Sequence, residues 1–141
     1  MIYFAYGSNL NHNQMRKRCK DSKYLYQHFL QGYELIFCSI NREEGYANII
    51  KNKDSQVHGC LWRISGSDEK ELDYYEGYPN VYTKDYFQFN NQKVMFYIIK
   101  NNFKKKPPNI KYLNTIRKGY NDCELTNETL KKILLNYNIY E

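Results

Sequence analysis

Strand-forming segments recur between residues 2 and 99, each ending in turn-forming residues, and the last third of the chain becomes helical. About six short strands with a few short helices indicate an α+β domain. The strand-rich middle favours a closed or strongly curled mixed β-sheet, a mixed β-barrel with peripheral short helices. The predicted strands are residues 2–6, 32–39, 46–50, 56–64, 81–89 and 93–99, the last two joined by a hairpin turn at 90–92.

Four short helices are predicted around these strands. The clearest start signal is Ser65-Gly66-Ser67-Asp68, where either serine can cap a helix that runs to about Tyr75 before Gly77. Thr126 is a plausible N-cap of the last helix, with Leu125 and Leu130 placed to form a hydrophobic staple. The other helices are predicted at residues 11–18 and 112–118, and the last at 127 to about 137.

The length and composition indicate one folded domain covering residues 1–141. The chain is 42% hydrophobic and has no repeat, linker or break in composition. It contains no apolar run of about 18 residues, and its first residues lack the basic region and cleavage site of a signal peptide. We therefore expect a cytoplasmic protein that has no membrane association.

The basic residues and cysteines argue against a polyanion or metal site. The net charge is +6, but the only dense basic run, Lys104-Lys105-Lys106, lies beside two prolines and is predicted to be a solvated loop. The cysteines form no Cys-x-x-Cys pair and have no histidine at metal-ligand spacing, so we expect reduced, mostly buried thiols and no metal or cofactor. They are Cys19, Cys38, Cys60 and Cys123.

A turn-forming pentapeptide directly follows the first predicted strand. It reads Tyr6-Gly7-Ser8-Asn9-Leu10. A glycine followed by two small polar residues lets consecutive backbone N–H groups point at one spot, which can hold a carboxylate or a developing oxyanion. The same residues are also ordinary turn chemistry, so the pentapeptide alone leaves a binding loop and a plain turn both open.

Glu76 is the second candidate, because it lies at a predicted helix end. The helix dipole there disfavours an anion, and the neighbours in sequence are Tyr74, Tyr75, Tyr78 and Tyr82. A carboxyl group crowded by rings has a raised pKa, which suits a general acid or base. A solvent-exposed glutamate in a turn is the alternative.

Five blocks of sequence stand in order and register from residue 3 to about residue 125. They are YFAYGSNL at 3–10, GYANI at 45–49, VHGCLWRI at 57–64, LDYYEGYPNVY at 72–82 and YLNTIRKGY at 112–120. Together they resemble the gamma-glutamylcyclotransferase-like family. The resemblance implies a mixed β-barrel with a cleft over the exit loop of the first strand.

The resemblance also implies roles for particular residues. Tyr6, Gly7, Ser8, Asn9 and Leu10 match the loop that binds the gamma-glutamyl group, largely through backbone N–H groups. Glu76 matches the catalytic acid/base, whereas Tyr82 and Tyr112 match positions that line the substrate pocket and could equally be core residues. The family often has a glycine before a leucine after the last block, where this chain has Glu124-Leu125, so the turn there is open to question.

The sequence therefore predicts an enzyme that converts a gamma-glutamyl amide into 5-oxoproline and a free amine or amino acid. Its expected partner is a small gamma-glutamyl molecule, not nucleic acid or membrane, and the leaving amine and the oligomeric state stay open. The alternative is a non-catalytic binding module on the same fold, which could bind nucleic acid. A titration with single-stranded nucleic acid at two salt concentrations separates the two.

Overall fold

The computed structural model describes residues 1–140 and contains one six-stranded mixed sheet with helices around it. The strand order is β4-β5-β1-β3-β2-β6; β1 and β5 are parallel, and the other neighbours are antiparallel. The α+β class expected from the sequence is confirmed. The strands are β1 Ile2–Ala5, β2 Lys23–Ser39, β3 Tyr46–Arg63, β4 Thr83–Phe89, β5 Gln92–Ile98 and β6 Lys104–Lys105.

The long hairpin of β2 and β3 corrects the predicted strand boundaries. The two strands predicted at 46–50 and 56–64 are one continuous strand, and β2 begins at Lys23 instead of residue 32. The two strands pair from Lys23 opposite Arg63 to Cys38 opposite Tyr46, with irregularities that include the Gln31 to Tyr33 step. Strand β3 continues through the polar residues 51–55, and β2 pairs with Lys51 and Gln56 on either side of the irregular step.

The sheet is strongly curled, because the long hairpin bends back over the strands at the opposite edge. The rings of His28 on β2 and Phe87 on β4 stack with centroids 5.3 Å apart. The Asn48 side chain on β3 bonds both backbone groups of Ile99, accepting from N–H at 2.9 Å and donating to C=O at 3.0 Å. The core, which includes Phe4 and Trp62, fills the inside of this curl.

Side-chain caps fix the starts of the helices. Ser65, one of the two serines predicted as a cap, forms a reciprocal capping box with Asp68 at the start of α2. Thr126 caps α4, and Asn109 caps α3 through the Tyr112 N–H, so α3 begins before the predicted residue 112. The helices are α1 His12–Arg18, α2 Gly66–Glu76, α3 Ile110–Asp122 and α4 Asn127–Leu135.

Two turns contain non-glycine residues with positive φ angles. Asn90 and Asn91 link β4 to β5, and their φ angles of 50° and 61° are typical of a two-residue hairpin turn. Glu124 has a φ of 57°, so the left-handed turn that suits a glycine is present with a glutamate in it. The Leu125 N–H closes that turn on the Tyr120 carbonyl at 2.8 Å.

Lys104 and Lys105 form a short strand, not the predicted loop. They pair with Ser39 and Cys38 at the end of β2, while their side chains stay exposed. The four cysteines are buried and form no disulfide bond. Within residues 1–140, no helix is long and apolar enough to cross a bilayer.

Candidate active site

A cleft of about 460 Å³ opens at the end of β1. Its walls come from the loop after β1, from α1, from the start of β3, from the end of α2 and from α3. Of the residues proposed from the sequence, all but Leu10 line this cleft: Tyr6, Gly7, Ser8, Asn9, Glu76, Tyr82 and Tyr112. The fold thus brings together side chains from three distant parts of the sequence.

The loop after β1 forms one turn of 3₁₀ helix at Ser8–Leu10. The Leu10 N–H donates to the Gly7 carbonyl at 3.1 Å, and the Leu10 side chain is fully buried. Leu10 therefore supports the loop from beneath. Ser8 and Asn9 are the first two residues of this 3₁₀ turn. Their N–H groups have no acceptor within the turn, because the first N–H groups of any helix lack an intrahelical partner. These two groups are available to a ligand in the cleft.

Asn9 holds this loop in place. It is only 2% exposed, and its carbonyl accepts from the Trp62 indole N–H at 3.1 Å. Its amide nitrogen donates to the Tyr3 hydroxyl at 3.0 Å, and its amide oxygen accepts from Arg18 at 2.9 Å. Both ends of the Asn9 side-chain amide and its backbone carbonyl are thus hydrogen-bonded within the protein. The backbone N–H is the group of Asn9 that a ligand can bind.

Glu76 reaches the cleft as the last residue of α2, where Gly77 ends the helix with a φ of 62°. Leu72, one turn earlier on the same helix face, is completely buried and anchors that face on the core. Burial raises the pKa of Glu76 to about 7 from its ordinary 4.5, and the positive charge of Arg18 opposes the rise. A carboxyl group with this pKa can both accept and donate a proton near neutral pH.

The tyrosines around Glu76 differ from those expected. Tyr74, Tyr75 and Tyr78 are 80%, 51% and 39% exposed, so they do not enclose Glu76 as predicted, although Tyr74 and Tyr75 line the same cleft. Positions one and two residues before Glu76 lie on other faces of the helix. Five buried or half-buried tyrosines surround the carboxylate instead, and its negative charge adds to burial in raising their pKa values: Tyr3, Tyr6, Tyr82, Tyr97 and Tyr112.

The hydroxyl groups of Tyr82 and Tyr112 both bond the backbone of Ala47. Tyr82 donates to the Ala47 carbonyl at 2.6 Å, which uses its proton. Tyr112 accepts from the Ala47 N–H at 2.9 Å, which leaves its own proton available. Both rings are thus structural in part, and Tyr112 also carries a hydrogen-bond donor that a ligand can use.

Arg18 is a cleft residue that sequence reasoning missed. Its guanidinium donates to Asn9 and lies 4.4 Å from the centre of the Tyr75 ring. The sequence signal that could have identified Arg18 is Met15, an apolar residue three positions earlier in α1. Met15 is fully buried, so residues on its side of the helix, including Arg18, face the interior. Tyr3 and Tyr97 were missed because they are strand residues, and only the pairing of β1 with β5 brings them to the cleft.

Solved structures share this fold. One, named gamma-glutamyl cyclotransferase, is 23% identical with a TM-score of 0.80, covering 94% of this chain and 85% of that chain. YkqA from Bacillus subtilis is 21% identical with a TM-score of 0.75, covering 99% of this chain and 55% of that chain. The fold is therefore the gamma-glutamyl cyclotransferase fold.

Residues 3–118 match the model of the family described as gamma-glutamyl cyclotransferase, AIG2-like. The chain belongs to this family. The gamma-glutamylcyclotransferases of Homo sapiens and Mus musculus are 26% and 25% identical to it over 143 aligned positions, which cover 94% of this chain and 76% of each relative.

Proposed function

We propose that the protein is a cyclotransferase that converts a gamma-glutamyl amide into 5-oxoproline and a free amine. The observation that carries the proposal is Glu76, an acid with a pKa of about 7, in the same cleft as Ser8 and Asn9, whose N–H groups have no acceptor within the 3₁₀ turn. Membership of the family supports the reaction class. The cleft volume of about 460 Å³ is in the range of small-molecule sites.

The substrate brings its own nucleophile. The alpha-amine of the gamma-glutamyl group attacks the gamma-carbonyl carbon, forming a C–N bond that closes a five-membered lactam. The original amide C–N bond then breaks, and the leaving nitrogen takes a proton. The protein has to bend the substrate, move this proton and stabilise the oxyanion. Holding amine and carbonyl together is worth several kcal/mol, up to about 7 or more in favourable systems.

Each step has a candidate residue in the cleft. Ionised Glu76 takes the proton from the alpha-ammonium and returns it to the leaving nitrogen. The N–H groups of Ser8 and Asn9 bind the alpha-carboxylate or the oxyanion of the gamma-glutamyl group. Tyr112, whose hydroxyl proton is not used by Ala47, donates to a substrate oxygen.

The test is release of 5-oxoproline from a small panel of substrates. The panel holds a gamma-glutamyl amino acid, a gamma-glutamyl amine and a gamma-glutamyl-lysine isopeptide, each assayed for the cyclic product. Cyclic product from at least one compound is expected. Binding of these compounds without any product would favour a non-catalytic binding module.

The pH dependence follows from the raised pKa of Glu76. Because Glu76 must be ionised to accept the proton, kcat/KM should rise with pH and level off above about 7, the pKa of its carboxyl group. If Glu76 had the ordinary glutamate pKa of 4.5, the rise in kcat/KM would be centred near pH 4.5 instead. Initial rates measured from pH 4 to pH 9 at low substrate concentration locate the limb. A midpoint below about pH 5 would mean that another group controls the rate.

Replacing Gly7 with valine should weaken binding of a gamma-glutamyl ligand at least about tenfold. A Cβ atom at Gly7 would lie 2.9 Å from the Cβ of Ala47, so the loop or β3 has to shift, and with it the N–H groups of Ser8 and Asn9. Ser8→Ala is the matched control, because the proposed contact uses the backbone of residue 8. Calorimetric titration measures both variants, and wild-type affinity in Gly7→Val would remove the loop from the binding site.

A further inference from the structure

Three residues that carry a formal charge line the cleft: Arg18, Arg42 and Glu76. Glu76 serves the proton transfers of the proposed function. Arg18 is engaged by Asn9 and by the Tyr75 ring. Arg42 has no assigned role, and within residues 1–140 its side chain forms no ion pair or hydrogen bond with another group.

The turn between β2 and β3 directs Arg42 to the cleft. The Arg42 N–H donates to the hydroxyl of Ser39 at 2.8 Å, which fixes the backbone at that position. Its acidic neighbour Glu44 is turned to α3, where its carboxylate accepts from Asn109 at 2.7 Å. Of the charged residues in this turn, Arg42 is the one that lines the cleft.

Arg42 enters the cleft beside the proposed gamma-glutamyl site. Tyr46, at the start of β3, also lines the cleft, and its ring contacts Tyr112 edge-on with centroids 5.2 Å apart. Ala47, the next residue, bonds Tyr112 and lies against Gly7. A continuous surface therefore leads from the loop after β1, past Tyr112 and Tyr46, to the turn that carries Arg42.

We infer that Arg42 binds a carboxylate on the leaving half of the substrate, so that the preferred substrates are gamma-glutamyl amino acids or peptides in place of gamma-glutamyl amines. The inference rests on the proposed function. A guanidinium presents two parallel N–H donors that match the two oxygens of a carboxylate. In a gamma-glutamyl amino acid this carboxylate is attached one carbon from the scissile nitrogen, close enough to lie in the same cleft.

Two substrates that differ only in the carboxylate test the inference. Gamma-glutamylalanine and gamma-glutamylethylamide present the same gamma-glutamyl group, and the second has a hydrogen in place of the carboxylate. Wild-type protein should prefer gamma-glutamylalanine by at least about tenfold in kcat/KM, the scale of one charge-assisted contact. Arg42→Gln should lose this preference while its kcat/KM for the ethylamide stays within about twofold, and Arg42→Lys should regain part of the preference.

Lys17→Gln is the matched control. This substitution also removes one positive charge. Lys17 lines a neighbouring groove that shares Arg18 with the main cleft, and it does not line the main cleft itself. It should leave the preference unchanged. Equal rates of wild-type protein on the two substrates, or equal losses on both in Arg42→Gln, would overturn the assignment of Arg42. A lost preference in Lys17→Gln would place the carboxylate in the neighbouring groove instead.

Failure of the proposed function gives a different result. If wild-type protein released 5-oxoproline from neither substrate, the cyclotransferase activity itself would be refuted. The role of Arg42 is then decided by calorimetric titration with the two compounds. A preference for gamma-glutamylalanine that Arg42→Gln abolishes upholds the contact without any turnover, and equal affinities overturn it.

Discussion

Glu76→Gln should reduce release of 5-oxoproline at least about a hundredfold while binding of a gamma-glutamyl ligand is retained. Glutamine fills the same space at the end of α2 but cannot take a proton from the substrate ammonium, and loss of a positioned general acid/base typically costs a factor of about 10² to 10⁴. Steady-state kinetics with a gamma-glutamyl amino acid measures the first effect. Titration calorimetry with the same ligand measures the second.

The stability of this variant provides the control for folding. Burial raises the pKa of Glu76 from 4.5 to about 7, so the folded state binds the proton more tightly than the unfolded state does. The carboxylate therefore lowers the stability of the fold as the pH rises from about 4.5 to 7, and the loss is complete above 7. Glu76→Gln removes this loss and should melt at or above the wild-type temperature at pH 8.

Glu71→Gln is the matched variant on the same helix, since Glu71 is exposed and lies outside the cleft. It should keep wild-type turnover. Near wild-type release of 5-oxoproline by Glu76→Gln would mean that Glu76 is not the acid/base. A Glu76→Gln protein that melts far below wild-type would instead mean that the carboxylate stabilises the fold.

An N-acetylated gamma-glutamyl amino acid should give no 5-oxoproline and no other product. Acetylation converts the alpha-amine into an amide, whose nitrogen is a very poor nucleophile, so the lactam cannot close. In the proposed mechanism the protein supplies no nucleophile of its own. Chromatography of the reaction mixture, with the non-acetylated compound as the positive control, detects every expected product.

Hydrolysis of the acetylated compound to N-acetylglutamate would contradict the cyclotransferase mechanism. Such a product requires water to attack the gamma-carbonyl, with Glu76 as the base that activates the water. The same cleft would then carry out ordinary amide hydrolysis. Inhibition of the normal reaction by the acetylated compound checks that it reaches the site.

The elements with strong local signals could be predicted from the sequence. Strand β1 ends where Gly7, Ser8 and Asn9 form the turn, and α2 begins at the capping box of Ser65 and Asp68. The first half of β2 was missed because its residues alternate poorly between buried and exposed, and its pairing with β3 determines its structure. Long-range pairing thus decided the elements in which local preference was weak.

The same distinction applies to the candidate active site. Glu76 and the loop after β1 stand out locally as an acid at a helix end and a glycine after a strand. The tyrosines that enclose the acid come from β1, the loop after it, β5, α3 and the segment before β4, and nothing within one window of sequence brings them together. Tyr74 and Tyr75 are neighbours of Glu76 in the sequence and line the same cleft, but they lie on other faces of the helix and stay exposed, so they do not enclose the acid.

The central position of β1 predicts an order in which the cleft assembles during folding. Hairpins β2–β3 and β4–β5 join neighbouring strands, whereas β1 pairs with residues near 60 on one side and near 94 on the other. Closing such long loops costs entropy before any contact forms, so β1 is expected to insert after both hairpins. Ser8 and Asn9 follow β1 directly, and in refolding the ability to bind ligand should therefore recover later than the bulk of the sheet.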